Sequence, residues 1–168
     1  MIRHLCLLVM ALSFSSCEKK RTAEMHLIPV GYEGVVITVY KQEGFPALPL
    51  KDGFLVYVYP RDGILITSSP QEFGSASDRT FELLDDGTQR PLGVGGRIER
   101  FAASGSHEGG GKPSISYSFK VIGTDSYWNS INSAKYDKKQ AEAIRKLESL
   151  RNRQSEQAAP SNGDKPSN

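Results

Sequence analysis

Cysteine is confined to the start of this chain: Cys6 and Cys17 are the only two in 168 residues. A domain built after Cys17 therefore has no disulfide, no thiolate metal site and no cysteine nucleophile. Histidine is almost as scarce, with His26 and His107 the two that follow Cys17, and Trp128 is the single tryptophan. No apolar run approaches the ~20 residues of a membrane-spanning helix. Charge of one sign is lacking too: 21 basic side chains stand against 19 acidic, a formal +2. That balance exerts no general pull on nucleic acid, which is excluded as an expected partner. No G-x-S-x-G elbow presents a serine nucleophile. Gly93-Val94-Gly95-Gly96 lacks the G-K-[ST] ending and following helix of a phosphate loop, so it reads as a turn.

What is present begins at the N-terminus. Met1 to His4 is basic, Leu5 to Phe14 is an apolar stretch, and small Ser15 and Ser16 lead into Cys17. The layout is that of a secretory signal, whose apolar region is usually ~7–15 residues long. A cysteine at the expected cleavage point resembles a bacterial lipoprotein signal, although Phe14 stands where Leu is usual. The resemblance implies removal of residues 1–16 and acylation of Cys17. The alternative is an ordinary signal cut elsewhere, leaving Cys17 a free thiol. Glu18 follows the cysteine, where an aspartate would imply inner-membrane retention. In a Gram-negative envelope the resemblance thus implies the periplasmic face of the outer membrane rather than the inner membrane. One acyl chain holds a protein marginally and two or more hold it firmly, at ~0.8 kcal/mol per buried methylene.

Removal of residues 1–16 leaves 152, enough for one domain with a core. Residues 17–25 read as the lipidated cysteine and a charged linker, with Glu18 to Glu24 spanning at most ~25 Å. Residues 26–133 read as strands. Val35 to Tyr40 is β-branched, with Val35, Ile37 and Val39 on one face and Val36, Thr38 and Tyr40 on the other. Phe54–Tyr59 and Ile64–Thr67 flank Pro60-Arg61-Asp62-Gly63 and predict a hairpin. Thr80–Leu84 and Gln89–Leu92 flank Asp85-Asp86-Gly87-Thr88 and predict another. Arg97 to Phe101 suggests a further strand, and Ser104 to Lys112 a glycine-rich loop. Ile115, Tyr117, Phe119 and Val121 alternate with Ser116, Ser118 and Lys120, which predicts one buried and one wet face. The expected fold is all-β, a small antiparallel β-sandwich. One C-terminal amphipathic helix follows over 134–154, with Asp137 and Gln140 as its capping pair and Ala141, Ile144, Leu147 and Leu150 as its apolar stripe. Residues 155–168 are polar and expected to be disordered.

Ile28-Pro29-Val30-Gly31-Tyr32-Glu33-Gly34, Tyr57 to Thr67 and the strand from Phe119 to Thr124 resemble a group of bacterial lipoproteins classed as a domain of unknown function. The resemblance covers about Ile28 to Asn132. It implies export and a small β domain, and it brings no catalytic residue.

Candidate sites are few. His107-Glu108 offers two metal ligands without a third at a recognisable spacing, so a solvated loop histidine is the better reading. His26 reads as a strand-edge residue. Asp62 and Asp85-Asp86 sit in turns and lack calcium-loop spacing. Tyr127 and Trp128 form a candidate contact surface for a protein or glycan partner in the envelope. The sequence favours the plainer alternative, in which Trp128 packs on the sheets. The basic helix face is either a solvated face of a docked helix or a contact for anionic headgroups. No catalytic residue, metal site or cofactor is expected. The resulting expectation is a lipid-anchored, non-catalytic binding or structural module, held to the membrane by lipid on Cys17. The alternative is an envelope hydrolase with a site assembled from scattered residues.

Overall fold

A computed structural model describes residues 19–93, 97–107 and 115–158. Nine strands and two helices lie in these segments: β1 (Ala23–Pro29), β2 (Gly34–Tyr40), β3 (Leu50–Lys51), β4 (Phe54–Val58), β5 (Ile64–Ile66), β6 (Arg79–Leu83), β7 (Gln89–Pro91), β8 (Ile98–His107), β9 (Ile115–Gly123), α1 (Asp125–Asn129) and α2 (Ser133–Ala158). The strands form two sheets, ordered β3-β4-β1-β6-β7 and β5-β2-β9-β8.

Both sheets are mixed, which corrects the antiparallel expectation. β1 runs parallel to β4 on one side and to β6 on the other, and β2 runs parallel to β5. The cause is the way the chain turns. After β1 it crosses through residues 30–33 into the second sheet and returns as β2. After β4 it crosses through residues 59–63 and returns as β5. Two such arches laid side by side place their first strands parallel in one sheet and their second strands parallel in the other. Phe54–Tyr59 and Ile64–Thr67 are therefore not a hairpin, although the turn chemistry between them is the same. The hairpin at Asp85–Thr88 is present, with β6 and β7 antiparallel in the register Glu82 opposite Arg90.

Tyr32 locks the two arches together. Its hydroxyl donates to Val35 O at 2.8 Å. Its ring lies over Gly63, where a Cβ would stand 2.2 Å from Tyr32 Oη. Gly63 also has φ +69°, the left-handed region that glycine enters without steric cost. Two of the three segments that carry the family resemblance are thus in contact.

β2 is buried at all seven positions because both its faces are covered. Val36 and Tyr40 meet Ile28, Leu48, Tyr57, Tyr59 and Ile122 in a cluster that spans the two sheets. Val35, Ile37 and Val39 meet Ile64, Ile66, Phe119, Val121, Ala143 and Leu147, so α2 lies on the outer face of the second sheet. In β9, Ile115 and Tyr117 pack toward the cluster under α2, but Ser116, Ser118 and Lys120 are half-buried too, and Phe119, Val121 and Ile122 are all buried near its end, so the strand has no wet face.

Several boundaries differ from expectation. β1 begins at Ala23, inside the segment 17–25 read as linker, and Lys20 already bridges Ser75. β8 runs on through Ser104 to His107, into the stretch read as a loop. α2 begins at Ser133, so Asp137 lies inside the helix and is no cap. Asn132 Oδ1 accepts from Lys135 N instead. α2 also runs on to Ala158, past the expected end at 154 and into the stretch 155–168 expected to be disordered, of which 159–168 lie outside the described residues. A short helix, α1, precedes it where the sequence predicts none. Among the described residues no helix is long and apolar enough to cross a membrane.

Candidate functional site

Alternation along β1 sends Glu24, His26 and Ile28 toward the second sheet, and the parallel register sets His26 beside Tyr57 of β4. Ile28 is dry core, whereas Glu24 and His26 are polar and buried, so they need partners. They find them in one chain of contacts. Glu24 is ionised and can only accept, so His26 Nε2 carries a proton and donates to Glu24 Oε2 at 3.0 Å. His26 Nδ1 is then an acceptor, with Tyr59 Oη 3.5 Å away. Tyr59 Oη shares a bond of 2.8 Å with Thr38 Oγ1 of β2, which joins the sheets. Tyr57 Oη donates to Glu24 Oε1 at 3.1 Å, and its ring lies 4.6 Å from the His26 ring.

Glu24 also lines a cleft of about 440 Å³ where the sheets part. One wall is hydroxyl-rich: Tyr40, Ser104 and Ser118, with Tyr40 Oη and Ser118 Oγ 2.9 Å apart. Ion pairs complete the walls on both sides. Arg21 forks onto Asp78 and lies 3.4 Å from Glu24, while Lys120 reaches Glu99 at 2.5 Å and Thr80 donates to the same carboxylate. Gln71, Glu72, Phe73 and Gly74 complete the lining.

Burial holds the His26 pKa below its ordinary value against the pull of Glu24, so the ring is neutral at neutral pH. Burial alone would raise Glu24. The His26 hydrogen bond and the charge of Arg21 outweigh it and keep the carboxylate below its usual range. Asp78 and Glu99 are likewise pushed up by burial and brought lower still by Arg21 and Lys120, respectively. Burial drives the Tyr57 and Tyr59 phenols far upward and raises that of Tyr40, which lines the cleft, so all three remain protonated. The cleft therefore presents fixed carboxylates, two paired cations and neutral hydroxyls.

The profile of a protein family described only as of unknown function matches residues 20–131. The chain belongs to that family, DUF6843. Its match begins at Lys20, the residue that bridges Ser75, and ends at Ile131, just before α2. The whole lining of the cleft falls within it. The chain is also similar in fold to a crystal structure of a candidate lipoprotein from Bacillus anthracis. That likeness has a TM-score of 0.66 and 21% identity over 76% of this chain and 95% of the other. No curated protein matches.

In this DUF6843 domain the residues singled out from sequence are dispersed. Cys17 and Glu108 lie outside the described residues. His107 ends β8, and among the described residues no group of three or more His, Cys, Asp or Glu is placed to hold a metal. Tyr127 and Trp128 sit on α1, whose cap Thr124 accepts from Tyr127 N at 3.2 Å. Both are half-buried against the cluster under α2, with Arg100 5.0 Å over the Trp128 ring and Lys135 4.7 Å over Tyr127. Asp85 pairs with Arg61, Asp86 closes its own turn by accepting from Thr88 N, and residues 94–96 are outside the described segments. The helix turns part of its basic face inward: Lys146 bonds Asp62 at 2.7 Å and Arg151 bonds the buried Gln42 at 2.7 Å.

His26 corrects the strand-edge reading. Its strand is the middle one of five, and the side chain is 1% exposed. Sequence reasoning missed the Glu24–His26–Tyr59–Thr38 chain. A signal was there: Glu24 and His26 share one face, as do Tyr57 and Tyr59, which is polar capacity placed inward on two neighbouring strands. Without knowing that β1 and β4 pair, those faces could not be joined.

Proposed function

We propose that this chain is a lipoprotein, acylated at Cys17, that holds a non-catalytic binding domain in the bacterial envelope, with the cleft between the sheets as its ligand site. The observation that carries the reading is how firmly residues 19–21, just after Cys17, are tied into the fold. Ser75 N donates to Lys19 O at 3.0 Å, Lys20 bridges Ser75, and Arg21 is fixed on Asp78. Processing at Cys17 keeps all of these contacts, whereas a cut a few residues later would strip Arg21 from its carboxylates. Binding rather than turnover is favoured because the cleft's cations are each committed to a carboxylate in its walls. Carboxylates Glu24, Glu72, Asp78 and Glu99 outnumber Arg21 and Lys120, so a neutral or cationic polar ligand suits it better than an anion. The periplasmic face of an outer membrane is the location we propose where the cell has one. The test is labelling with palmitate and membrane fractionation: the native chain carries label and sediments with membrane, and Cys17→Ser does neither. Unchanged membrane association of that variant would refute the anchor.

One observation favours a second reading. Glu24 faces the cleft and is oriented by His26, as a general base would be. An envelope hydrolase would lose its phenotype in Glu24→Gln with the fold intact, and a binding domain that tolerates Glu24→Gln would exclude it.

A further inference from the structure

The mouth of the cleft lies at the point where the chain leaves the fold toward Cys17. β1, β4 and β6 are parallel, and all three start at the same end. Residues 19–21 enter β1 there, and the segment leading to Asp78 and β6 is held against them. Arg21 N donates to Ser75 O at 3.3 Å, and Arg21 Nε donates to Gly74 O at 3.1 Å. The packing is so close that a Cβ on Gly74 would stand 2.1 Å from Lys19 O. Phe73, next in the chain, lines the cleft and is nevertheless 61% exposed. Leu50, 67% exposed, pairs with Leu55, which registers with Glu24 near this same end. Two of the three large apolar side chains most exposed among the described residues therefore sit where the N-terminal segment departs. Lys19 and Lys20 are exposed beside them.

Chain length then fixes the geometry. Cys17 is two residues from Lys19, so its Cα stands within about 8 Å of Lys19 Cα. A lipid on that cysteine leaves no stalk. From this we infer that the Phe73 rim, with Leu50 and Lys19-Lys20, is a membrane-contact patch, and that the cleft opens toward the bilayer surface. The occupant is the lipid surface itself: an aromatic ring suits the headgroup boundary, and the lysines favour anionic headgroups. Glu43 and Glu72 lie on loops at the same end, so the apolar side chains carry more of the contact than charge does. The inference rests on acylation of Cys17 and adds an orientation to it.

Because nothing else in the domain is a thiol, a single introduced cysteine reports cleanly on depth. Phe73→Cys, Leu50→Cys and, at the far end in the β6–β7 turn, Asp86→Cys are each labelled with an environment-sensitive fluorophore on the lipidated protein. The proteins are reconstituted in vesicles of phosphatidylethanolamine and phosphatidylglycerol containing brominated acyl chains. Labels at 73 and 50 should be quenched several-fold more by the lipid than the label at 86, and shielded from aqueous iodide. Equal iodide quenching at all three sites would overturn the patch. Mass spectrometry of the same samples separates the two failures: acylated Cys17 with no lipid quenching removes this inference alone, and unacylated Cys17 removes the anchor and the orientation together.

Discussion

Replacing Gly63 with alanine tests the stacked arches directly. The new methyl group meets two costs. Gly63 has φ +69°, and an L side chain held in the left-handed region loses roughly 1–2 kcal/mol. The methyl also lands 2.2 Å from Tyr32 Oη and 2.8 Å from Tyr32 Cζ, so the ring must leave. Its bond to Val35 O goes with it, a loss of about 1 kcal/mol, and some burial besides. The expected total is about 3 kcal/mol, which in a domain of this size lowers Tm by about 10 °C. Urea unfolding of the mature chain carrying Cys17→Ser provides the assay, with the midpoint moving and the slope unchanged. The decisive comparison is a cycle with Tyr32→Ala. Once the ring is gone only the backbone cost remains, so Gly63→Ala should fall to about 1.5 kcal/mol there. An equal cost in both backgrounds would show that Tyr32 does not lie over Gly63, and the parallel stacking of the arches would lose its lock.

Leu147 is 1% exposed beneath α2, and Leu147→Ala should cost about 3 kcal/mol by urea unfolding; a loss under 1 kcal/mol would mean the helix is not docked on β2. Stability should also fall as the solution is acidified. His26 is held below its ordinary 6.5 and Glu24, Asp78 and Glu99 below theirs, so the unfolded chain takes up protons before the native one does. The loss should start below pH of about 6.5 through the histidine and steepen near pH 4 through the carboxylates. His26→Gln should flatten the upper part of that profile, and an unaltered profile would contradict a buried neutral ring.

Much of the β architecture could be read from residue pattern. The two faces of Val35–Tyr40, the turn at Asp85–Thr88 and the helix after 133 follow from alternation, turn chemistry and 3.6-residue spacing. The arch at Pro60–Gly63 could not, because proline and glycine set the same φ values whether the flanking strands return to one sheet or cross to another. That single ambiguity hid the pairing of β4 with β1, and with it the meeting of Tyr57 and Tyr59 with Glu24 and His26. Asp137 misled for a related reason: an acidic residue followed by Gln140 resembles a cap wherever it falls, and Asn132 holds that place. The cleft was out of reach of sequence because its walls come from both sheets and are joined only by tertiary packing.

β1 is both the first strand of the fold and the middle strand of its sheet, held on each side by a parallel neighbour. A tug on an N-terminal tether therefore runs along the strand axis. It loads both ladders of hydrogen bonds together in shear, where a pull across the strands would open them one at a time. Such a geometry resists rupture, so tension between the bilayer and whatever grips the far end would be borne by the sheet's strongest axis.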